Sequence, residues 1–350
     1  MGILSTIPSR LLVTLGASCL FSLGLGACTS TTPFASTALD GISIKLAMPL
    51  INSTRPLLTA DVSVAGGPAV PVLVDTGSPG LRIFQGAVGT SGIEMGSDAV
   101  NVTFADGTMF NGVQAEATVS IGGVATSSPI AIQVVQSASC SPANPSCIGA
   151  NGLDSLAKVQ HFSGILGIGL GSGAIFSPLM QLAGGPPSSF TIKASPSTGS
   201  GTLALNTTPT APVATFQMAR GQDLVLPNGV PAWASDLTTA CWAFNKAAPA
   251  CVPTSFDSGS PYLFASPSIP GAPPNGQVPK GRTVSLYPVG EGGGAGTQAA
   301  WTSSAGTTAG LNQMVIQEMP TSGTAINTGI AIFTTVGITF DASRGQVILG

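Results

Sequence analysis

Charge is what this chain has least of. Asp, Glu, Lys and Arg make up 7% of its 350 residues, against ~25% in an ordinary soluble domain. With 11 basic side chains against 14 acidic ones and no basic cluster, nothing can neutralise a run of phosphates, which excludes nucleic acid as a partner. Histidine occurs once, at His161, and no Cys-x-x-Cys pair exists, so a metal site lacks ligands and no metal or cofactor is expected. No serine or cysteine nucleophile motif accompanies His161, which is read as a partly exposed structural residue. Leu-Gly-Ile-Gly-Leu-Gly at 166–171 does not fit Gly-x-Gly-x-x-Gly and lacks a strand-helix-strand context, which argues against a nucleotide site. No period of 20 to 50 residues stands out, so a solenoid is not indicated.

Long apolar runs are also missing. The only candidate, Leu11 to Leu25, follows a single cation, Arg10, and ends in small residues. It is shorter than the ~20 residues a spanning helix needs and has the anatomy of a signal peptide. Leu25-Gly26-Ala27-Cys28 resembles the lipobox of bacterial lipoproteins, which implies cleavage before Cys28, acylation of its thiol and export to the cell envelope, with Thr29 resembling outer-membrane sorting. An ordinary cleaved secretory signal is the alternative. The expected layout is a signal peptide over 1–27, a flexible tether over 28–41, and folded sequence from Ile42. The mature net charge is near −4, ten basic against fourteen acidic groups once Arg10 is removed.

What is plentiful is glycine and proline, 46 and 28 residues, together with short apolar runs between glycine-bearing turns: ISIKLAM, LTADVSV, VPVLVD, AVNVTF, ATVSIGG, IAIQVVQ. Closely spaced strands of this kind predict a mainly β fold. One helix is expected in IFSPLMQLAGG, with Ser177 as cap and Pro178 at the first turn. A flexible surface loop is expected at 290–298. Besides Cys19 and Cys28, four cysteines remain, enough for two bridges in an exported chain. Three connectivities are possible; Cys140–Cys147 and Cys241–Cys251 are preferred because each closes a short, proline-bearing loop. The stretch around the second pair, with Trp242 and Phe244, is either a stapled hairpin at the rim of a cleft or ordinary core.

The chemistry rests on one long-range repeat. PVLVDTGSPGLRIF at 71–84 and PTSFDSGSPYLFA at 253–265 share the order apolar, Asp, Thr/Ser, Gly, Ser, Pro, apolar strand, and their aspartates are 182 positions apart (257 − 75). A glycine beside each aspartate allows a sharp loop and close approach of its amide to the carboxylate. Thr76 and Ser258 offer hydroxyls that reach the opposite loop, and Ser78 and Ser260 are expected to donate to the outer carboxylate oxygens. Two such loops face to face place like charges together, so the pair shares a proton. One carboxylate then accepts a proton from a water while the other donates to a carbonyl.

These residues resemble the pepsin-like aspartic peptidases over most of 43–350. Phe104, Ala105, Asp106 and Gly107 resemble the tip of that family's flap. Ile165-Leu166-Gly167 resembles the element passing under the first aspartate loop, with Gly329 as its second-lobe counterpart, and GITFDASRGQVIL resembles the terminal hairpin. Asp75 to Arg82 is also similar to the Asp-Thr-Gly-Ser-x-Gly-Leu-Arg segment of an uncharacterised bacterial family. The resemblance implies a bilobal fold of two β-barrel-like lobes, 42–212 and 213–350, with a cleft between them. It further implies Asp75 and Asp257 as catalytic residues supported by Thr76, Gly77, Ser78, Ser258, Gly259 and Ser260, and an extended peptide or unfolded protein as substrate, on a monomer that needs no cofactor. The sequence departs from the pattern at Phe104, which lacks the usual flap hydroxyl, and at Asn327-Thr328, where apolar residues are usual. A binding or catalytically weak envelope protein on the same fold is therefore kept as the second reading, and a purely structural envelope lipoprotein as the third.

Overall fold

The computed structural model describes residues 34, 37–51, 55–306, 313–317 and 323–350. The expected signal segment and Cys28 lie outside the described residues. The folded body extends ahead of Ile42. Thr37 to Gly41 form a turn, Leu39 is buried, and Asn206 donates to Asp40 over 2.9 Å. The last residues of the expected tether are thus packed onto the folded body.

Strands dominate, as the short apolar runs predict. The elements that build the site are β1 (Val70–Asp75), β2 (Pro79–Phe84), β3 (Ile93–Thr103), β4 (Thr108–Ala117), β5 (Ile130–Cys140), α1 (Gly152–Gln160), β6 (Gly164–Ile168), β7 (Thr238–Phe244), β8 (Ala250–Ser255), β9 (Leu263–Ala265) and β10 (Ile326–Asn327). In the larger sheet β1, β6, β2, β5, β4 and β3 are neighbours in that order. That sheet continues through strands 59–64, 43–47, 200–205 and 189–195 into the C-terminal hairpin of Ile338–Asp341 and Gln346–Leu349, and ends at Ala214–Gln217. A second sheet holds β9, β10, β8 and β7 as consecutive neighbours.

The two aspartate loops share one topology. In the first, β6 slots between β1 and β2, parallel to β1 with Gly167 beside Asp75, and antiparallel to β2 with Gly167 beside Gly80. In the second, β10 slots between β8 and β9, parallel to β8 with Asn327 beside Ser255, and antiparallel to β9. Counting back two residues from each aspartate, Leu73 pairs with Ile165 and Ser255 with Asn327. Asn327 therefore occupies the station of Ile165, and Gly329 that of Gly167. Both glycines pass where no side chain fits. A Cβ on Gly167 would lie 2.7 Å from the carbonyl oxygens of Ser78 and Gly80, and one on Gly329 (φ +58°) only 2.2 Å from the carbonyl oxygen of Tyr262.

Alternation on the strands sorts side chains between two apolar clusters. Val72 and Val74 point into the main core with Leu81 and Ile83, whereas Leu73 joins a smaller cluster with Phe84, Phe110, Val135, Leu156, Phe162 and Ile165. Since residues two apart share a face, Asp75 lies on the side of the small cluster. Helix α1 caps that cluster through Leu153, Leu156 and Ala157, and it ends at His161, whose left-handed conformation (φ 57°) closes the last turn.

The helix expected in 175–185 is instead a single 3₁₀ turn, Pro178–Gln181. Pro178 fixes its start, Leu182 is already extended, and Gly184 and Gly185 both take positive φ. Too few residues remain between these breakers for the nucleation of an α-helix to be recovered. Both disulfides are the local ones, Cys140–Cys147 and Cys241–Cys251. Trp242 and Phe244 are fully buried, so these two side chains of the second stapled hairpin pack the core. The indole of Trp242 donates to Thr254 over 2.9 Å.

Candidate active site

Each aspartate loop is locked to the other before its carboxylate is considered. The hydroxyl of Thr76 donates to the carbonyl of Phe256 over 2.6 Å and accepts from the amide of Ser258 over 2.9 Å. Reciprocally, the hydroxyl of Ser258 donates to the carbonyl of Val74 over 2.8 Å and accepts from the amide of Thr76 over 3.2 Å. All four bonds are buried and join residues about 180 positions apart. Each contributes about 1 kcal/mol net, and removing one partner strands a buried group at a cost of about 1–3 kcal/mol. This is the cross-loop role expected of Thr76 and Ser258.

The grip sets the carboxyl groups of Asp75 and Asp257 facing each other, each against the glycine of the opposite loop, and close enough for the charge of Asp257 to act on Asp75. Gly77 and Gly259 make that approach possible. A Cβ on Gly77 would stand 2.6 Å from the carboxyl carbon of Asp257, and one on Gly259 2.6 Å from Oδ1 of Asp75. Their amides hold the inner oxygens, Gly77 donating to Asp75 Oδ1 and Gly259 to Asp257 Oδ1, each over 2.7 Å.

The outer oxygens are held differently on the two sides. Ser78 donates to Asp75 Oδ2 over 2.5 Å, as its motif position suggests. Ser260 does not do the same for Asp257: its hydroxyl turns away and donates to the carbonyl of Tyr262 over 2.9 Å. The donor to Asp257 Oδ2 is Nδ2 of Asn327, at 2.5 Å, and the Asn327 amide is fixed in that orientation because its Oδ1 accepts from the amide of Gly329 over 2.9 Å. Asn327, a departure from the expected apolar pattern, is thus the site residue that motif reading misses. Only the register of β10 against β8 reveals it.

Burial and the charge of Asp257, in that order, push the carboxyl of Asp75 up from 3.8 to about 8, against the hydrogen bonds of Ser78 and Gly77. Asp75 therefore keeps its proton up to about pH 8. Arg82 is a cation whose charge interacts with that of Asp75. It shares the Gly80–Phe84 face of β2, one step along from the Gly80–Gly167–Asp75 row. Its Nη1 donates to the carbonyls of Pro79 over 2.8 Å and Gly80 over 3.2 Å. Burial lowers its pKa, while the charge of Asp75 pulls it back up.

Phe104 to Gly107 form the turn between β3 and β4, closed by Gly107 N donating to Phe104 O over 2.9 Å. The Phe104 ring meets Phe110 edge-on at 5.1 Å, and the Arg82 guanidinium lies 5.9 Å from its centroid. The flap aromatic is thus tied to the first aspartate loop through Arg82. Asp106 stays inside the turn, accepting from the amide and hydroxyl of Thr108. Behind the turn stands the loop closed by the Cys140–Cys147 bridge. From it, Ser141 N donates to Gly107 O over 2.8 Å and Asn144 Nδ2 to Asp106 O over 2.7 Å. Surface depressions lined by Lys45, Asp61 and Ser120, and by Gln181 and Asn228, contain none of these residues; the reactive groups meet between the two loops. Among the described residues no cluster of His, Cys, Asp and Glu is arranged to hold a metal ion.

Comparison with known proteins agrees with this geometry. Residues 44–347 match the family model of the PE-PGRS C-terminal aspartyl peptidase-like domain. No curated protein matches the sequence. Among solved structures, the aspartic proteinase from Irpex lacteus superposes with a TM-score of 0.52 at 14% identity, covering 88% of this chain and 97% of that one. At that identity the likeness concerns the fold, which is mainly β, bilobal and pepsin-like. The chain belongs to the PE-PGRS C-terminal aspartyl peptidase-like domain family.

Proposed function

We propose that the protein is an aspartic-type endopeptidase in which Asp75 and Asp257 activate a water against a peptide carbonyl. The observation that carries this reading is the pair of facing carboxyl groups, each held by a backbone amide and a side-chain donor, with the proton of Asp75 held up to about pH 8. A pair of mutually repelling buried carboxyls is costly to maintain in a protein that only binds, and useful in one that must accept one proton while giving another. An extended peptide or unfolded protein is the proposed substrate, lying between the loops and the 104–107 turn. No metal or organic cofactor enters this chemistry.

The Leu25 to Cys28 motif supports a further part of the reading: an exported lipoprotein anchored in the bacterial cell envelope through Cys28. Phe104 favours the second reading, a weak or inactive peptide binder, because it removes a hydroxyl from the flap. The test is cleavage of denatured proteins by the mature chain from acidic to mildly alkaline pH, with and without pepstatin. Cleavage that pepstatin blocks and that both Asp75→Asn and Asp257→Asn abolish is the expected outcome. A wild-type chain that binds peptide but yields no product supports the binder, and cleavage indifferent to both substitutions removes the dyad.

A further inference from the structure

The four oxygens of the pair do not have equivalent neighbours. Asp75 Oδ1 and Asp257 Oδ1 both accept from backbone amides, which can only donate. Asp257 Oδ2 accepts from the Asn327 amide nitrogen, which likewise can only donate and is prevented from turning over by the bond from Gly329 N to its Oδ1. Apart from the facing carboxyl, only the partner of Asp75 Oδ2 can reverse. The Ser78 hydroxyl donates to an ionised Asp75 and, by rotating, accepts from a protonated one.

We infer that Asn327 makes the two aspartates chemically inequivalent, fixing Asp257 as the ionised partner and Asp75 as the one that carries the shared proton. The raised pKa of Asp75 agrees with this placement. Within the peptidase reading, on which only the roles in catalysis rest, the direction of proton flow follows. Asp257 takes a proton from the water as the water oxygen bonds to the carbonyl carbon, and Asp75 gives its proton to the carbonyl oxygen, forming a gem-diol. In the second half Asp257 returns its proton to the amide nitrogen as the C–N bond breaks. A gem-diol hydroxyl then re-protonates Asp75, so both carboxyls end as they began.

The other charged or titratable groups on elements packed around the pair are few. Strands β5, β6, β8 and β10 carry none outside the Cys140 and Cys251 bridges, and β2 contributes Arg82. The flap strands and their turn bring Glu94, Asp98, Asp106 and Glu116, α1 brings Asp154 and Lys158, and Tyr262 follows the second loop. Arg82 interacts with Asp75 and favours its ionised form, so it opposes the asymmetry and cannot be its source.

The experiment is a pH titration of the folded chain labelled with ¹³C at the aspartate carboxyls, with the two resonances assigned from Asp75→Asn and Asp257→Asn. The expected wild-type result is that Asp257 ionises first and Asp75 retains its proton to about pH 8. In Asn327→Leu, which restores an apolar residue at the station of Ile165, the first ionisation moves up by about one pH unit, as loss of a donor to a carboxylate requires. The acid limb of any cleavage profile moves with it. The reverse order in the wild type overturns the inference without needing the variant to fold. An Asn327→Leu chain that folds with an unmoved first ionisation overturns it as well. Because the titration is read from the resonances, a chain that cuts nothing but titrates in the expected order leaves the inference standing while the peptidase reading falls.

Discussion

The residues that decide this site are the smallest ones in it. Gly77 and Gly259 do not have left-handed backbones, so strain is not their reason. Each is required because the facing carboxyl occupies the space a methyl group would take, 2.6 Å away. That carboxyl cannot retreat, being held by an amide at 2.7 Å and a side-chain donor at 2.5 Å. Gly77→Ala or Gly259→Ala is therefore expected to cost about 1–3 kcal/mol of stability as overpacking. It also separates the carboxyls, and a displacement of about 1 Å lowers peptide cleavage on the order of 100-fold. Gly86→Ala is the control, since a Cβ there meets nothing within 4 Å, and it should be neutral or slightly stabilising. Wild-type melting and cleavage in Gly77→Ala would remove the close-contact account. These glycines could be named from the sequence because a repeated motif marks them. Asn327 could not, because it lies 70 positions from Asp257 in a segment whose pattern announces only a departure. Ser260 misled for the same reason: motif symmetry predicts its hydroxyl on Asp257, whereas the local turn offers it the carbonyl of Tyr262.

At the scale of elements, the flap turn and the loop behind it behave as one unit. A Cβ on Gly107 (φ +84°) would stand 2.8 Å from Asn144 Cβ and 3.0 Å from Ser141 Oγ, and two hydrogen bonds from the 140–147 loop reach the backbone of Asp106 and Gly107. Asn144→Ala removes one of these bonds, about 1 kcal/mol, and should speed amide exchange in residues 104–108 roughly fivefold. The double substitution Cys140→Ser with Cys147→Ser releases the loop itself and should speed it further. In a cleavage assay both changes are expected to raise KM more than they lower kcat, because the loop touches the flap and not the aspartates. Unchanged exchange in both variants would show that the loop does not support the turn. The strands of this region were readable from alternation, and so were the two local bridges. The helix was not. Gly152–Gln160 has only Leu153, Leu156 and Ala157 as an apolar stripe, a weak signal beside IFSPLMQLAGG, whose proline and glycine pair mark the ends of something too short to be helical. Tertiary packing over the small cluster decides in favour of the first.

For the whole molecule, the aspartate pair sets a pH dependence that runs opposite to ordinary acid denaturation. Asp75 has a folded-state value of about 8 against 3.8 when free. Below about pH 4 it is protonated whether the chain is folded or not, and it makes no difference to stability. As pH rises, the unfolded chain releases this proton while the folded chain keeps it, so unfolding is favoured increasingly until the folded-state value is reached, and the cost is constant above about pH 8. Asp75→Asn keeps the shape of the neutral side chain and removes the titration. Its melting temperature should therefore match the wild type near pH 4 and exceed it by a margin that widens up to about pH 8, while cleavage is lost at every pH. The ion pair of Arg344 with buried Asp341 at 3.0 Å is common to both proteins and cancels in the comparison. Calorimetry of the two chains across this range decides the matter. A margin that stays flat with pH means Asp75 ionises with its ordinary value in the fold, and the shared proton on which the proposed chemistry depends is then absent.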